Sequence, residues 1–427
     1  MSSQKLFDQL RSGERDLYDY LVALCTTIEG NEDHIQALIP ETYSREKILE
    51  QANRLLEIYP DPKKRPPLFG VPVGVKDIFR VDGFPTQCGS GLPAHLFEGP
   101  EAKCVTQLKQ AGAIIIAKTV TTEFAYFEPG VTRNPHHAEH TPGGSSSGSA
   151  SGVACDYFPL ALGTQTVGSI IRPAAYCGVI GFKPSAGRIS KEGIIPFSPT
   201  ADTVGLFCKD IEGIELCLSI LDPGWDLATS LDQPVCGVPI GPYLDQASDE
   251  VRQHFDAQVE YLSAKGFHIK KIPMFENFET IHDHHHWMTA AEKARVHATW
   301  FEAHKDRYRP RTRAWIEKGQ TIDDDTLQQY QQEGLQLRAD IEQTMQATNI
   351  DCWICPSTLD TPPKGLDSTG SPAMNLPWTS AGLPAISLPS GKNETGLPFG
   401  LQVISGFDQD ASLLSISKKL LPYLSTA

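Results

Sequence analysis

A chain of 427 residues with 40% apolar and 21% charged side chains can bury a large core and has no bias toward disorder. Its net charge of −15 and pI near 5.3 exclude nucleic acid or an anionic membrane surface as the main partner. The first residues are charged and hold no apolar run of signal-peptide length, and no window is long enough to span a bilayer, so a cytoplasmic protein is expected.

Taken in order, residues 5–56 predict helices: Leu17, Tyr20, Leu21 and Leu24 recur at helical spacing, and Ser44 opens a further helix through Ile48, Ala52 and Leu55. Pro60, Pro62, Pro66 and Pro67 break that pattern, and the strand-like run Leu68–Phe79 follows with Lys76 inside it. A lysine there can be an edge gatekeeper or can snorkel. Flanked by Val75 and Ile78 and thinned around by Gly70, Pro72 and Gly74, Lys76 is equally a candidate for burial, which favours the neutral amine and makes it a base. Val105–Leu108 and Ala111–Lys118 then read as helix, glycine stop and buried strand.

The stretch Thr141–Pro184 is the centre of the sequence. Its front half is a Ser/Gly turn around Gly144, Ser145 and Ser146; the apolar run Phe158–Leu162 predicts a strand; Thr164-Gln-Thr-Val-Gly-Ser169 is a second small-residue turn. Glycine lets such turns aim backbone N–H groups at a ligand. A flexible linker would not run on into Ala150, Val153 and a buried strand, and a phosphate loop would close on Gly-Lys-Ser/Thr, which is absent.

Beyond it, Ser185–Asp210 predicts loop with short strands, Cys236–Gly241 a strand, and 248–265 and 287–347 helices that form an insert able to cover a pocket. His282 and His286 at i, i+4 lack a second ligand pair and read as a solvated helix start. Cys352–Cys355 fits C-x-x-C but lies in an apolar run and reads as a buried strand, and the ten cysteines at wide intervals are expected to be free thiols. Pro384–Pro389 and Pro398–Ser405 predict two more strands and Asp408–Leu421 a closing helix. Strands at both ends of the chain predict one α/β domain over residues 1–427, with a helical segment at 1–60 and a helical insert at about 248–347.

A serine hydrolase needs an activated hydroxyl, a base and oxyanion donors. The Gly-x-Ser-x-Gly elbow of His-based enzymes is absent, which leaves a Ser-Lys arrangement. Gly70-Val-Pro-Val-Gly-Val-Lys-Asp-Ile78, Pro142-Gly-Gly-Ser-Ser146 and Gly168-Ser169, in this order and over nearly the whole chain, resemble the amidase signature family. The resemblance implies a mixed β-sheet core surrounded by α-helices. It also implies a Ser–cis-Ser–Lys triad of Ser169 (nucleophile), Ser145 and Lys76, with the N–H groups of Thr166, Val167, Gly168 and Ser169 as oxyanion hole. Gly144, Ser146, Gln165 and Arg172 would support it. The implied reaction is cleavage of a small amide, carbamate or ureide by water through an acyl-enzyme, without cofactor or metal; a homodimer is left open. An amidase subunit of an amidotransferase-type assembly, or a non-catalytic relative, is the alternative. Many members carry Asp where Gln165 stands, Gly at Val167 and Arg at Ile171, so an uncharged Gln165–Ile171 pair is expected in place of an ion pair, with Arg172 one place on.

Overall fold

In the computed structural model, which describes residues 2–226 and 233–424, the apolar runs collect into one ten-stranded sheet. In chain order the strands are β1 (Pro72–Lys76), β2 (Ile114–Thr119), β3 (Leu160–Gln165), β4 (Ile180–Lys183), β5 (Thr203–Cys208), β6 (Val235–Ile240), β7 (His268–Pro273), β8 (Cys352–Pro356), β9 (Ala385–Lys392) and β10 (Pro398–Ile404). Across the sheet they run β2-β1-β3-β5-β4-β9-β10-β8-β6-β7. Pairing is parallel at the two ends and antiparallel from β3 to β8. A sheet covered by helices on both faces must be apolar on both, which is why β1 to β5 are buried along their whole length.

Local chemistry sets the helices as expected in several places. Asp16 and Ser44 accept from the N–H groups of Asp19 and Lys47 and so start Leu17–Ile35 and Arg45–Ile58. The chain just after the first of these lies along the outer edge of β2, with Ile39 N donating to Lys118 O at 2.8 Å and Val120 N to Ala37 O at 2.9 Å. The opposite edge, β7, is half exposed and carries His268, Lys270, Lys271 and a terminal Pro273.

Two expectations are corrected and one is sharpened. The front half of the central stretch is a turn only to Ser146; Ser147–Ala154 is a buried helix. Its small residues serve close packing, since a Cβ on Gly148 would lie 2.5 Å from Val120 N. Ser185–Asp210, expected as loop with short strands, contains one six-residue strand, β5. The insert is interrupted by β7, whose His-Ile-Lys-Lys-Ile-Pro sequence lacks the apolar run of a buried strand because it is an edge.

Candidate active site

Parallel pairing of β1 with β3 places Val75 opposite Leu162, so the next residue of β1, Lys76, comes beside the end of β3. This is where the sheet passes from parallel to antiparallel pairing. Gly74 is a steric requirement of that approach: a Cβ there would lie 2.6 Å from Cε1 of the Phe158 ring. Lys76 Nζ, fully buried, lies 2.7 Å from Ser145 Oγ, 2.9 Å from Thr164 Oγ1 and 3.4 Å from Thr164 O. Burial lowers its pKa from 10.5 to about 7, the Asp202 carboxylate offsetting part of the drop. Burial thus favours the neutral amine that a base needs.

Ser145 follows a cis peptide from Gly144. The segment is sewn to β3 by side chains: Ser146 Oγ donates to Thr164 O at 3.2 Å and Ser149 Oγ to Leu162 O at 2.9 Å. Gly163 is needed there, because a Cβ would stand 2.8 Å from Ser146 Oγ. Arg172 Nη2 holds the Gly144 carbonyl at 2.6 Å and Thr369 Oγ1 at 3.2 Å, while its Nε and Nη1 have no partner among the described residues.

Ser169 lies on the turn between β3 and the helix Ile171–Cys177, 8% exposed, and its hydroxyl makes no hydrogen bond among the described residues. No backbone acceptor among the described residues takes the N–H of Val167, Gly168 or Ser169. Buried N–H groups are rarely left unmatched, so three in succession mark a place where a ligand oxygen can be received. Gly168 is sterically fixed, since a Cβ would collide with Asn375 Oδ1.

The expected Gln165–Ile171 side-chain pair is not what forms. Gln165 Oε1 accepts from the backbone N–H groups of Ile170 and Ile171 at 2.8 and 3.0 Å, and Nε2 donates to Thr379 Oγ1 at 2.9 Å, which itself donates to Val167 O at 2.6 Å. A neutral amide thus ties both ends of the turn and needs no guanidinium. His282 and His286, expected at a solvated helix start, lie inside the helix Phe278–Val296, where His286 is half-buried with Nδ1 donating to His282 O at 3.0 Å; between them His285 is buried with Nε2 donating to Thr166 O at 3.0 Å, and burial lowers its pKa to about 4 and keeps it neutral. Asp202 accepts from Thr166 Oγ1 at 2.5 Å and from Phe197 N and Ser198 N at 2.8 and 3.0 Å. Asp202, Thr379 and Asn375 escape sequence reasoning, whereas Thr164 was placed at the opening of the second small-residue turn without its contact to the Lys76 amine. Among the described residues no His, Cys, Asp and Glu side chains cluster as a metal site would need.

The chain belongs to the amidase family, whose profile matches residues 19–414. Among curated proteins it is similar to a glutamyl-tRNA(Gln) amidotransferase subunit from Lachnospira eligens, 28% identical over 94% of this chain and 93% of that one. The same subunit from Chlamydia abortus is 29% identical over 82% and 81%. Among solved structures, one reported as "Crystal structure of amidase" superposes with a TM-score of 0.92 at 28% identity over the whole of both chains. Peptide amidase from Stenotrophomonas maltophilia shares the fold, with a TM-score of 0.83 at 23% identity over 99% of this chain and 97% of that one.

Proposed function

We propose that the protein is a serine hydrolase that cleaves the C–N bond of a small amide, or of a related carbamate or ureide, through an acyl-enzyme on Ser169. Neutral Lys76 takes the proton of Ser145, which takes that of Ser169; the freed oxygen attacks the carbonyl carbon. The carbonyl oxygen becomes an oxyanion held by the turn from Thr166 to Ser169. The relay then returns a proton to the leaving nitrogen, and water repeats the sequence on the ester. The observation that carries this reading is the fully buried Lys76 amine 2.7 Å from Ser145 Oγ, with no carboxylate paired to it among the described residues.

The test is intact-protein and peptide mass spectrometry after incubation with a fluorophosphonate and with a panel of primary amides. Covalent mass on Ser169, absent from Ser169→Ala, is expected; labelling elsewhere with Ser169 unmodified would refute the nucleophile. The similarity to amidotransferase subunits over 94% of the chain favours a second reading, a subunit that works within an amidotransferase-type assembly. Ammonia release from a primary amide by the purified chain alone favours the first reading, and release only after adding a partner fraction favours the second.

A further inference from the structure

On taking a proton Lys76 becomes a buried ammonium, and the atoms it touches, Ser145 Oγ, Thr164 Oγ1 and Thr164 O, are all neutral. A cation with only neutral acceptors is costly in such a place. An anion stands one step further along the chain. In the antiparallel pairing of β3 with β5, Gln165 lies opposite Thr203, so the next residue of the turn, Thr166, comes opposite Asp202. Thr166 Oγ1 donates to Asp202 Oδ1 at 2.5 Å. Thr164 and Thr166 stand two residues apart at the end of β3, the spacing at which strand side chains share a face, about 7 Å apart.

Asp202 is partly buried, and its other oxygen accepts from Phe197 N and Ser198 N at 2.8 and 3.0 Å. Three donors on two oxygens suit an ionised carboxylate, yet no ion pair with Asp202 forms among the described residues. The other charges packed around the relay are spoken for. Lys118, from β2, pairs with Asp77 at 2.8 Å, and Arg172 holds Gly144 O and Thr369 Oγ1. From the helix Phe278–Val296, His285 is neutral, Glu292 takes Ser198 Oγ and Thr200 N, and Lys293 Nζ donates to Phe124 O at 3.2 Å. Glu123 accepts from Arg309 N at 3.1 Å. Asp202 is thus the carboxylate whose field reaches Lys76, and it reaches Lys293 in the same sense.

We propose that Asp202 is the counter-charge of the relay, a positioning residue that supports the ammonium formed on Lys76 and, through Thr166, anchors the start of the oxyanion turn. In the attack an N–H bond forms on Lys76 as the O–H bond of Ser145 breaks, the Ser169 proton passes to the Ser145 oxygen, and the electron pair it leaves forms the bond to the carbonyl carbon. Two charges arise together, a negative one on the carbonyl oxygen and a positive one on Lys76. The N–H groups of the turn meet the first and Asp202 meets the second. A carboxylate in contact with the amine would hold it protonated at rest; one set beyond Thr164 and Thr166 supports the charge without fixing it.

The kinetic test rests on the hydrolase reading above; the folding test does not. In Asp202→Asn the amide oxygen can take the two N–H groups and Nδ2 can donate to Thr166 Oγ1, so the hydrogen bonds survive and the charge is lost. The acidic limb of kcat/KM for a primary amide should then move to lower pH by about 0.5–1 unit, with a plateau roughly 10-fold lower. Thr166→Val cuts the bond but keeps the carboxylate, so its limb should stay near that of the wild type although its plateau falls. A limb unmoved in Asp202→Asn, or moved equally by Thr166→Val, overturns the proposal; Asp202→Ser takes the place of the amide should that variant not fold. In the second test, urea unfolding of the wild type, Lys76→Met, Asp202→Asn and the double variant gives the coupling between the two positions. It should be favourable at about pH 6, where the amine is charged, and vanish by about pH 9.5, where it is neutral. Coupling absent at both pH values, or equal at both, overturns the proposal. Coupling that fades with rising pH, without turnover of any amide, would keep Asp202 as the counter-charge and remove the hydrolase reading.

Discussion

Lys76→Met exchanges the amine for a thioether of similar length and tests, without any substrate, whether the folded protein holds this lysine neutral. The drop from 10.5 to about 7 corresponds to ~5 kcal/mol at 1.36 kcal/mol per pH unit. Between those values the unfolded chain carries a proton that the folded chain has released, so the lysine makes folding more favourable as pH rises, by up to ~1.4 kcal/mol per unit. Lys183 and Lys293, buried and lowered to about 7, act in the same sense, while buried Cys88, Cys217 and Tyr243, pushed up by burial, act oppositely at higher pH. Comparing variant with wild type cancels these contributions. Removing the hydrogen bonds that the amine makes to Ser145 and Thr164 costs about 1 kcal/mol each, but equally at every pH. From about pH 7.5 to about pH 9.5 the wild type should gain roughly 2.5 kcal/mol relative to Lys76→Met. Urea unfolding followed by tryptophan fluorescence at both pH values measures it. Parallel pH dependences would show that Lys76 stays charged, and the proton relay would fall with it.

Lys76→Arg should abolish acylation, because a guanidinium keeps its proton; turnover near wild type would mean that a fixed positive charge suffices. Gln165→Leu strips the acceptor from Ile170 N and Ile171 N and should cost ~2–4 kcal/mol in chemical denaturation, whereas a loss under about 1 kcal/mol would show that the turn stands without it. Gly74→Ala drives a methyl into the Phe158 ring and should cost ~1–3 kcal/mol; an unchanged melting temperature would mean that the ring swings aside.

The family, and the segments that meet at the candidate site, were legible because small residues betray them. Gly74, Gly163 and Gly168 are fixed by collisions that any Cβ would cause, and the motifs that announced the family are built around such positions. Strands buried on both faces were legible as apolar runs. What stayed hidden depends on long-range pairing. The position of β5 within Ser185–Asp210, where short strands were expected, is set by its neighbours β3 and β4, and β7 as an edge has no apolar run to show. Thr379 reaches Gln165 across 214 positions of sequence and Asp202 reaches Thr166 across 36, and nothing local marks either. His285, between the His282 and His286 that the sequence singled out, carries no signal of its own, because its acceptor, Thr166 O, is a backbone atom of a distant turn.

The two margins of the sheet are closed to other chains in different ways. At β2 the molecule spends its own residues Ala37–Ile39 on the outer strand, while at β7 exposed lysines and a terminal proline deny a visiting strand the flat, apolar ladder it would need. Growth of the sheet by addition of a foreign strand, the route by which many long-sheet proteins aggregate or swap segments, is thereby blocked at both ends. Surfaces for association are thereby left to the helices and loops, which can be redrawn by mutation without disturbing the ten strands that frame the candidate site.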